Sequence, residues 1–306
     1  MFKLNIVFFG NHIYGYNSLF EMIKAGVIPK LVVTNIPKKE EKEWYPSVHD
    51  LALRHNIKII RTNKTKKNDE LKYIIESLSP DLFVVSSYRN IIDKDLIYIP
   101  KFGAINLHMA PLPKYRGAHP ENWAIINGEK QMGYTVHYLV EEIDAGDIIA
   151  QKSVKILMED DILSLTFKLA EAGAKLLLEV ISNIKKGHII RKSQIEKEAT
   201  YYRPRKPSDG LINWYDDEID IYNLVRSLTR PYPGAFTYLF NRKLTIWRIR
   251  IMSLEESSKA KPGEIIRFDS DSGILVKTGG KPILIIDFNW EDQKLPENVK
   301  GVKLGE

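Results

Sequence analysis

The 306-residue chain contains no cysteine. That absence excludes a disulfide scaffold, a thiolate zinc site and a thiol nucleophile, and it accords with a reducing compartment. No stretch is long and apolar enough to read as a membrane span. Residues 6–9, Ile-Val-Phe-Phe, are too short, and the residues before them lack a signal-peptide cleavage pattern. The expectation is a soluble, cytoplasmic enzyme with no membrane association. No block of like charge marks a tail, and no H-E-x-x-H or similarly spaced cluster marks a metal, so none is expected. Gly10-Asn11-His12-Ile13-Tyr14-Gly15 is not a G-x-G-x-x-G loop, so a dinucleotide claim would be weak there. There is no internal repeat.

The length exceeds one average domain, which argues for one large domain and one smaller. A formal charge of +6 favours an anionic partner. A nucleotide-linked small molecule, a polyglutamylated folate and RNA all satisfy it, and charge does not choose among them. Lysine is spread through the chain with Ile, Asn and Tyr, a bias that an A/T-rich genome explains equally well.

Chemistry concentrates between residues 103 and 147. The apolar Ala104, Ile105 and Leu107 read as a buried strand, and alternation along it points Asn106 and His108 to one side. Pro111 and Pro113 cannot continue a central strand, so the polar pair stands where strand becomes loop. In open α/β sheets that edge is where ligands bind. Asn offers an uncharged amide donor, and His a nitrogen with an unperturbed pKa of about 6.5. Together they can hold a developing oxyanion and take up a proton, which suits attack of a nucleophile on a carbonyl carbon. If folding brings Asp144 close, its charge favours imidazolium and orients the ring. The alternative is a hydrogen-bonded strand end beside an acidic turn.

Elsewhere in the first part, buried strands are expected at 3–9, 30–34, 57–60, 82–85, 134–138 and 148–154, with helices at 10–24, 47–54, 69–78, 120–127 and 162–185. That alternation is an α/β pattern with a mostly parallel sheet. His137 lies on a strand and reads as a structural histidine. Asn11 and His12, at the edge of the first strand, are open to substrate contact. Residues 200–210 turn to proline, glycine and basic residues, a linker signature. Beyond them come a helix at 218–228 and five short strands at 235–240, 243–251, 263–268, 273–278 and 281–288, a small β-barrel-like domain. The domains are therefore 1–200 and 201–306, and exposed β edges leave room for a homodimer.

Three motifs in fixed order carry a family resemblance: Asn106-Leu107-His108, Leu112-Pro113-Lys114-Tyr115-Arg116-Gly117 and Asp144-Ala145-Gly146. They resemble the 10-formyltetrahydrofolate-dependent formyltransferases, which share an Asn-x-His strand end, a Leu-Pro-x-Tyr/Trp-Arg-Gly loop and a later Asp-x-Gly. The similarity runs over most of the chain, including Pro231-Tyr232-Pro233-Gly234-Ala235-Phe236. It implies a Rossmann-like formyltransferase domain followed by an OB-like barrel, with 10-formyltetrahydrofolate as co-substrate. It also implies catalytic roles: Asn106 donates to the oxyanion, His108 assists it and relays the proton leaving the amine, and Asp144 orients and tunes His108. The folate would lie against Ser87, Tyr88, Arg89, Ile91, Leu139, Ile143 and Asp144, largely on backbone groups of the 86–91 loop. An ordinary polar loop is the other reading of that segment.

For the acceptor, Met109-Ala110-Pro111-Leu112-Pro113 departs from the Ser-Leu-Leu-Pro loop of the transfer-RNA branch and is similar to the Ala-Pro-Leu-Pro form of sugar N-formyltransferases. Asn122-Trp123 and residues 231–236 are similar to the domain that formylates UDP-4-amino-4-deoxy-arabinose. Lys38, Lys39, Glu40, Glu41, Lys42 and Glu43 nearly cancel in charge, where transfer-RNA enzymes carry an Arg- and Gly-rich insertion. A nucleotide-linked amino sugar is the expected substrate, and nucleic acid is disfavoured. Arg203 and Arg205 are candidates for its pyrophosphate, or else solvated linker charges. Tyr115 and Arg116 shape the substrate loop, unless Arg116 is a buried ion pair, and Tyr232 stacks on the base or stiffens a turn. The alternatives are a methionyl-tRNA formyltransferase, a formyltetrahydrofolate hydrolase and a non-catalytic nucleotide-sugar binding protein.

Overall fold

The computed structural model describes residues 4–37, 44–253, 259–291, 295–296 and 298–305. Residue 3 of the first expected strand and the charged residues 38–43 lie outside that set. The chain divides into two compact units: Met1–Pro120, Gln131–Lys155 and Thr166–Tyr202 form the first, and Glu121–Lys130, Ile156–Leu165 and Arg203–Glu306 the second.

The first unit opens with β1 (Ile6–Gly10), α1 (His12–Lys24), β2 (Leu31–Thr34), α2 (Val48–Arg54), β3 (Ile59–Arg61), α3 (Asp69–Ser77), β4 (Leu82–Ser86), α4 (Lys94–Ile97) and β5 (Ala104–His108). After the two-residue β6 (Arg116–Gly117) comes α5 (Pro120–Ile126), which from Glu121 on belongs to the second unit. The chain then continues with β7 (Gln131–Tyr138), β8 (Ile148–Lys155), α6 (Ile162–Lys185), which is in the first unit from Thr166 on, and β9 (Tyr201–Tyr202). The central sheet has the order β3-β2-β1-β4-β5-β7-β8, with β1 to β5 parallel and the last two antiparallel. β1 and β4 are buried along their whole length, which is why their sequences are continuous apolar runs.

Val7, Phe9, Val33, Phe83 and Val85 form one apolar face, covered by Leu71 and Ile75 of α3 and by Leu96 of α4. On the opposite face α6 approaches β5 closely, since a Cβ on Gly173 would lie 3.1 Å from the Leu107 and Met109 side chains. Strand order reverses between β1 and β4, the kind of switch point outside whose carboxyl ends open α/β sheets bind ligands. Gly15 lets α1 start tight against that edge, because a Cβ there would stand 2.9 Å from the Ser86 carbonyl. Side-chain caps begin several of the helices: Ser47 Oγ accepts from the Asp50 amide, Asn68 Oδ1 from the Leu71 amide, Asp93 Oδ1 from the Asp95 amide and Asp161 Oδ1 from the Ser164 amide.

Tyr201 and Tyr202, expected within a linker, instead form a parallel pair with Arg116 and Gly117. Two-residue strands have no periodicity to read, so local composition was the only available signal.

The second unit holds α7 (Glu218–Ser227), β10 (Ala235–Leu239), β11 (Arg242–Ile251), β12 (Ile265–Asp269), β13 (Gly273–Val276) and β14 (Ile283–Trp290). The strands form an antiparallel sheet of order β10-β11-β14-β13-β12. Trp214, Ile221, Val225, Leu244, Ile246, Ile274, Ile285 and Trp290 fill its core. Arg226 is buried and donates to the Leu157 and Asp160 carbonyls, and Asn122 Nδ2 donates to the Ser227 carbonyl, so both outlying segments are tied in by hydrogen bonds. Among the described residues, no helix is long and apolar enough to cross a membrane.

Candidate active site

Asn106 and His108 alternate with buried Leu107 on β5 and are both partly exposed. β7 runs antiparallel beside them and sets His137 opposite Asn106. His137 is fully buried, with Nδ1 2.9 Å from the Tyr138 carbonyl and Nε2 3.2 Å from Asn106 Nδ2. A carbonyl only accepts, so Nδ1 carries the proton and Nε2 accepts from the asparagine amide. That contact orients the amide and leaves its second hydrogen for another oxygen. Burial, opposed by the charge of Asp144, depresses the His137 pKa from 6.5 to about 4, so the ring is neutral near pH 7.

His108 Nε2 lies 3.0 Å from the Tyr115 carbonyl and therefore carries its own proton there. Nδ1 remains as the acceptor. The carboxylate of Asp144 lies 3.7 Å from His108 Nε2 by one oxygen and 3.7 Å from His137 Nε2 by the other. It also accepts from the Gly117 amide at 2.9 Å. Burial on its own would raise the Asp144 carboxyl, but His108, His137, the Gly117 amide and Arg116 outweigh it and hold the pKa below the usual carboxylate range. The site thus joins an oriented amide donor, a histidine with a free nitrogen and an ionised carboxylate. Among the described residues no cluster could hold a metal ion.

The loops that supply Asp144 and Tyr115 have demanding backbones. Asp144 has φ 54° and Tyr115 φ 61°, both left-handed. Gly146 must be glycine, because a Cβ there would lie 1.9 Å from the Tyr138 carbonyl. The Tyr115 ring stacks on Tyr202 at 4.8 Å. Of the two readings of Arg116, the geometry is that of an ion pair buried on the arginine side, with Glu196 70% exposed. The Arg116 side chain is 0% exposed and donates to Glu196, Gln194 and Tyr201.

The folate candidates lie in the segments that follow β4 and β7 in the chain. The Tyr88 ring is buried, edge-on to Phe9 with its hydroxyl on the Thr62 carbonyl, so only its backbone faces the loop. Ser87 has φ 56°. The 87–91 loop is stapled by Asn35, whose Oδ1 accepts from the Arg89 amide and whose Nδ2 donates to Asn63 and Asn90. Thr65 Oγ1 donates to the Ile91 carbonyl, and the Arg89 guanidinium to Tyr45. Leu139 packs on the core cluster that contains Tyr88, while Lys94 of α4 pairs with Glu141 at 3.7 Å. Ile91 and Ile143 stay 74% and 55% exposed. A rigid backbone loop flanked by uncovered apolar side chains fits a flat heteroaromatic ring.

Arg203, Arg205 and Tyr232 belong to the second unit. Arg203 makes a bidentate pair with Asp209 at 2.7 and 2.8 Å, and Arg205 lies over the Trp123 ring at 4.8 Å while donating to the Asp209 carbonyl. The Tyr232 amide closes a turn onto the Thr229 carbonyl.

Residues 7–181 match the family model described as formyl transferase, and residues 205–298 match its C-terminal domain. The chain belongs to the formyl transferase family. Members of this family are folate-dependent N-formyltransferases, and 10-formyltetrahydrofolate is the co-substrate that goes with membership. The bifunctional polymyxin resistance protein ArnA of Wigglesworthia glossinidia brevipalpis is 39% identical over 87% of this chain, which spans 40% of that relative's length. A methionyl-tRNA formyltransferase of Sulfurihydrogenibium sp. (strain YO3AOP1) is 34% identical over 98% of both chains. An N-formyltransferase from Helicobacter canadensis, solved with folinic acid and dTDP-3-aminofucose, shares the fold with TM-score 0.68 at 20% identity, over 92% of this chain and 99% of that one.

Sequence reasoning about this formyltransferase read His137 only as a structural histidine, without its contact to Asn106, and missed Gln194 and Asn35. Each acts through a partner remote in sequence: Asn106 across two strands, Arg116 and Asp144 across a loop, Arg89 across the sheet edge. Only the β5–β7 register could have singled out His137.

Proposed function

We propose that this chain formylates the amine of a nucleotide-linked amino sugar, using 10-formyltetrahydrofolate as donor, in the cytoplasm. The observation that carries the chemistry is the meeting of Asn106, His108 and Asp144 at the sheet edge, with Asp144 3.7 Å from His108. As the amine attacks the formyl carbon, negative charge builds on the formyl oxygen, and the free Asn106 Nδ2 hydrogen is the donor for it. The amine's proton passes to His108 Nδ1, since Nε2–H is held by the Tyr115 carbonyl. Asp144 stabilises the resulting imidazolium. His108 then returns the proton to the departing nitrogen. 10-Formyltetrahydrofolate supplies the formyl group and leaves as tetrahydrofolate, held by the backbone of residues 87–91 and by Leu139 and Ile143.

In this reading residues 1–200 carry the transfer, and Arg203, Arg205 and Tyr232 of residues 201–306 bind the nucleotide. Arg203 would exchange Asp209 for pyrophosphate. Supporting the sugar are the Ala110-Pro111-Leu112-Pro113 loop, the ArnA relative and the neighbour solved with dTDP-3-aminofucose. The second reading, methionyl-tRNA as acceptor, is favoured by the Sulfurihydrogenibium relative that matches end to end.

The test is a donor-consumption assay with a panel of nucleotide-linked amino sugars, charged initiator tRNA and no acceptor. Transfer to a sugar is expected. Transfer only to tRNA would overturn the sugar, and consumption without acceptor would make the chain a hydrolase.

The folate assignment has its own check. Asn35→Ala removes the acceptor of the part-buried Arg89 amide together with the donors to Asn63 and Asn90, a combined loss of about 1–3 kcal/mol that loosens the loop. KM for the donor should rise roughly 5- to 100-fold while kcat at saturation stays within about twofold. An unchanged KM would remove the 87–91 loop from the folate site.

A further inference from the structure

The segment that follows α6 is a strap across the active site. It enters on a pair of backbone hydrogen bonds between Lys192 and Ile148, at the start of β8. It leaves through β9, which pairs with Arg116 and Gly117. Thr200 adds three contacts to the 113–116 loop: its Oγ1 accepts from the Tyr115 amide, its carbonyl from the Arg116 amide, and its own amide donates to the Pro113 carbonyl. Gln194 lies between these anchors. Its Nε2 donates to the Asp144 carbonyl at 2.8 Å and the Gly146 carbonyl at 2.7 Å. Its Oε1 accepts from Arg116 Nη2 at 2.8 Å and Nε at 3.1 Å. Both amide hydrogens and both lone pairs are therefore in use.

We propose that Gln194 is a positioning residue: its amide ties the Asp144 turn to Arg116 of the substrate loop and thereby fixes the Asp144 carboxylate against His108. The inference rests on the reading of Asn106, His108 and Asp144 as the formyl-transfer site.

Two observations converge on it. Asp144 and Tyr115, which both meet His108 Nε2, are left-handed residues other than glycine, and such backbones persist only where the surroundings over-determine them. The strap binds both loops, and Gln194 is the side chain that touches the two at once. The groups facing the Asp144 carboxylate are His108 from β5, His137 from β7, and the Gly117 amide and Arg116 from the loop. Moving the turn weakens all of these together while the carboxyl stays buried.

Three variants separate positioning from simple support. Gln194→Leu removes every amide contact, yet Arg116 retains Glu196 and Tyr201. Gln194→Glu keeps an acceptor for Arg116 but loses both donors and turns a carboxylate oxygen toward two carbonyls. Ser193→Ala, which removes only a hydroxyl contact to Asp147, is the control.

Expected for both Gln194 variants is a kcat roughly 10- to 100-fold lower, the scale for a slightly misplaced catalytic group, with KM for donor and acceptor within about twofold. An NMR titration of the Asp144 carboxyl carbon should move upward in both and stay put in Ser193→Ala. A buttress for Arg116 alone would leave Gln194→Glu at the parental kcat, and that result overturns the proposal. So does an Asp144 titration unchanged in both variants. Because the titration needs no acceptor, a parent that formylates nothing while Asp144 shifts as expected would sink the substrate reading and leave the clamp standing.

Discussion

Asn106→Ala and His108→Ala proteins fold and turn over about 100- to 1000-fold more slowly than the parent, the usual cost of deleting one oxyanion-hole donor. Both side chains stand on the rim of a strand whose buried positions are Ala104, Ile105 and Leu107, so truncation leaves the core intact. Neither deletion leaves the Asp144 carboxylate unpartnered, because the Gly117 amide still donates to it and Arg116 still faces it. The loss should therefore sit in kcat, with donor KM little changed. Groups acting as one unit are grossly non-additive, so the double variant should fall only slightly below the worse single one. Single-turnover formyl transfer, with circular dichroism as the folding control, provides the measurement. Near-parental turnover by either variant would refute the assignment of roles.

The parts of this arrangement legible in the sequence are those with short-range signatures. β1 and β4 announce themselves as uninterrupted apolar runs because helices cover both faces of the sheet. Asn106 and His108 stand out because period-two alternation and the following prolines place them together at a strand end. α6 has the same bounds, 162–185, in the reading and in the structure, since its apolar stripe persists over 24 residues. Contacts made by long-range geometry were not legible. That Asp144 reaches His108 depends on a left-handed residue beside a glycine that could carry no Cβ. His137 resembles any strand histidine until the register sets it across from Asn106. The strap was least visible, because its effect comes from one glutamine and a two-residue strand 78 and 85 positions from Arg116. Gln194 carried no signal at all and the two-residue strand fell inside the segment that reads as linker, so only the fold turns them into part of the site.

Acid should destabilise this protein through His137 before its carboxylates protonate. The ring titrates near 6.5 when unfolded and about 4 when folded, chiefly because it is buried. Between those values the unfolded chain binds the extra proton and the native state does not, so unfolding free energy falls as pH falls. The contribution is fully present above pH 6.5. Integrated from pH 7.5 to 4.5 it amounts to about 2–3 kcal/mol, a factor on the order of 100 in the folding equilibrium. Asp144 adds a loss of the same sign at lower pH, because its folded pKa is also depressed. Urea unfolding of the parent and of His137→Gln at pH 7.5, 6.5, 5.5 and 4.5 isolates the histidine, since glutamine cannot titrate. The parental stability should drop steeply across that range and the variant's only shallowly. The drop should also be felt at the site: protonating Nε2 converts the acceptor of the Asn106 amide into a second donor, so the native molecules that take up the proton lose the contact that aims Asn106. Parallel stability curves for the two proteins would mean that His137 is not held neutral by burial, and the orientation argued for Asn106 would lose its basis.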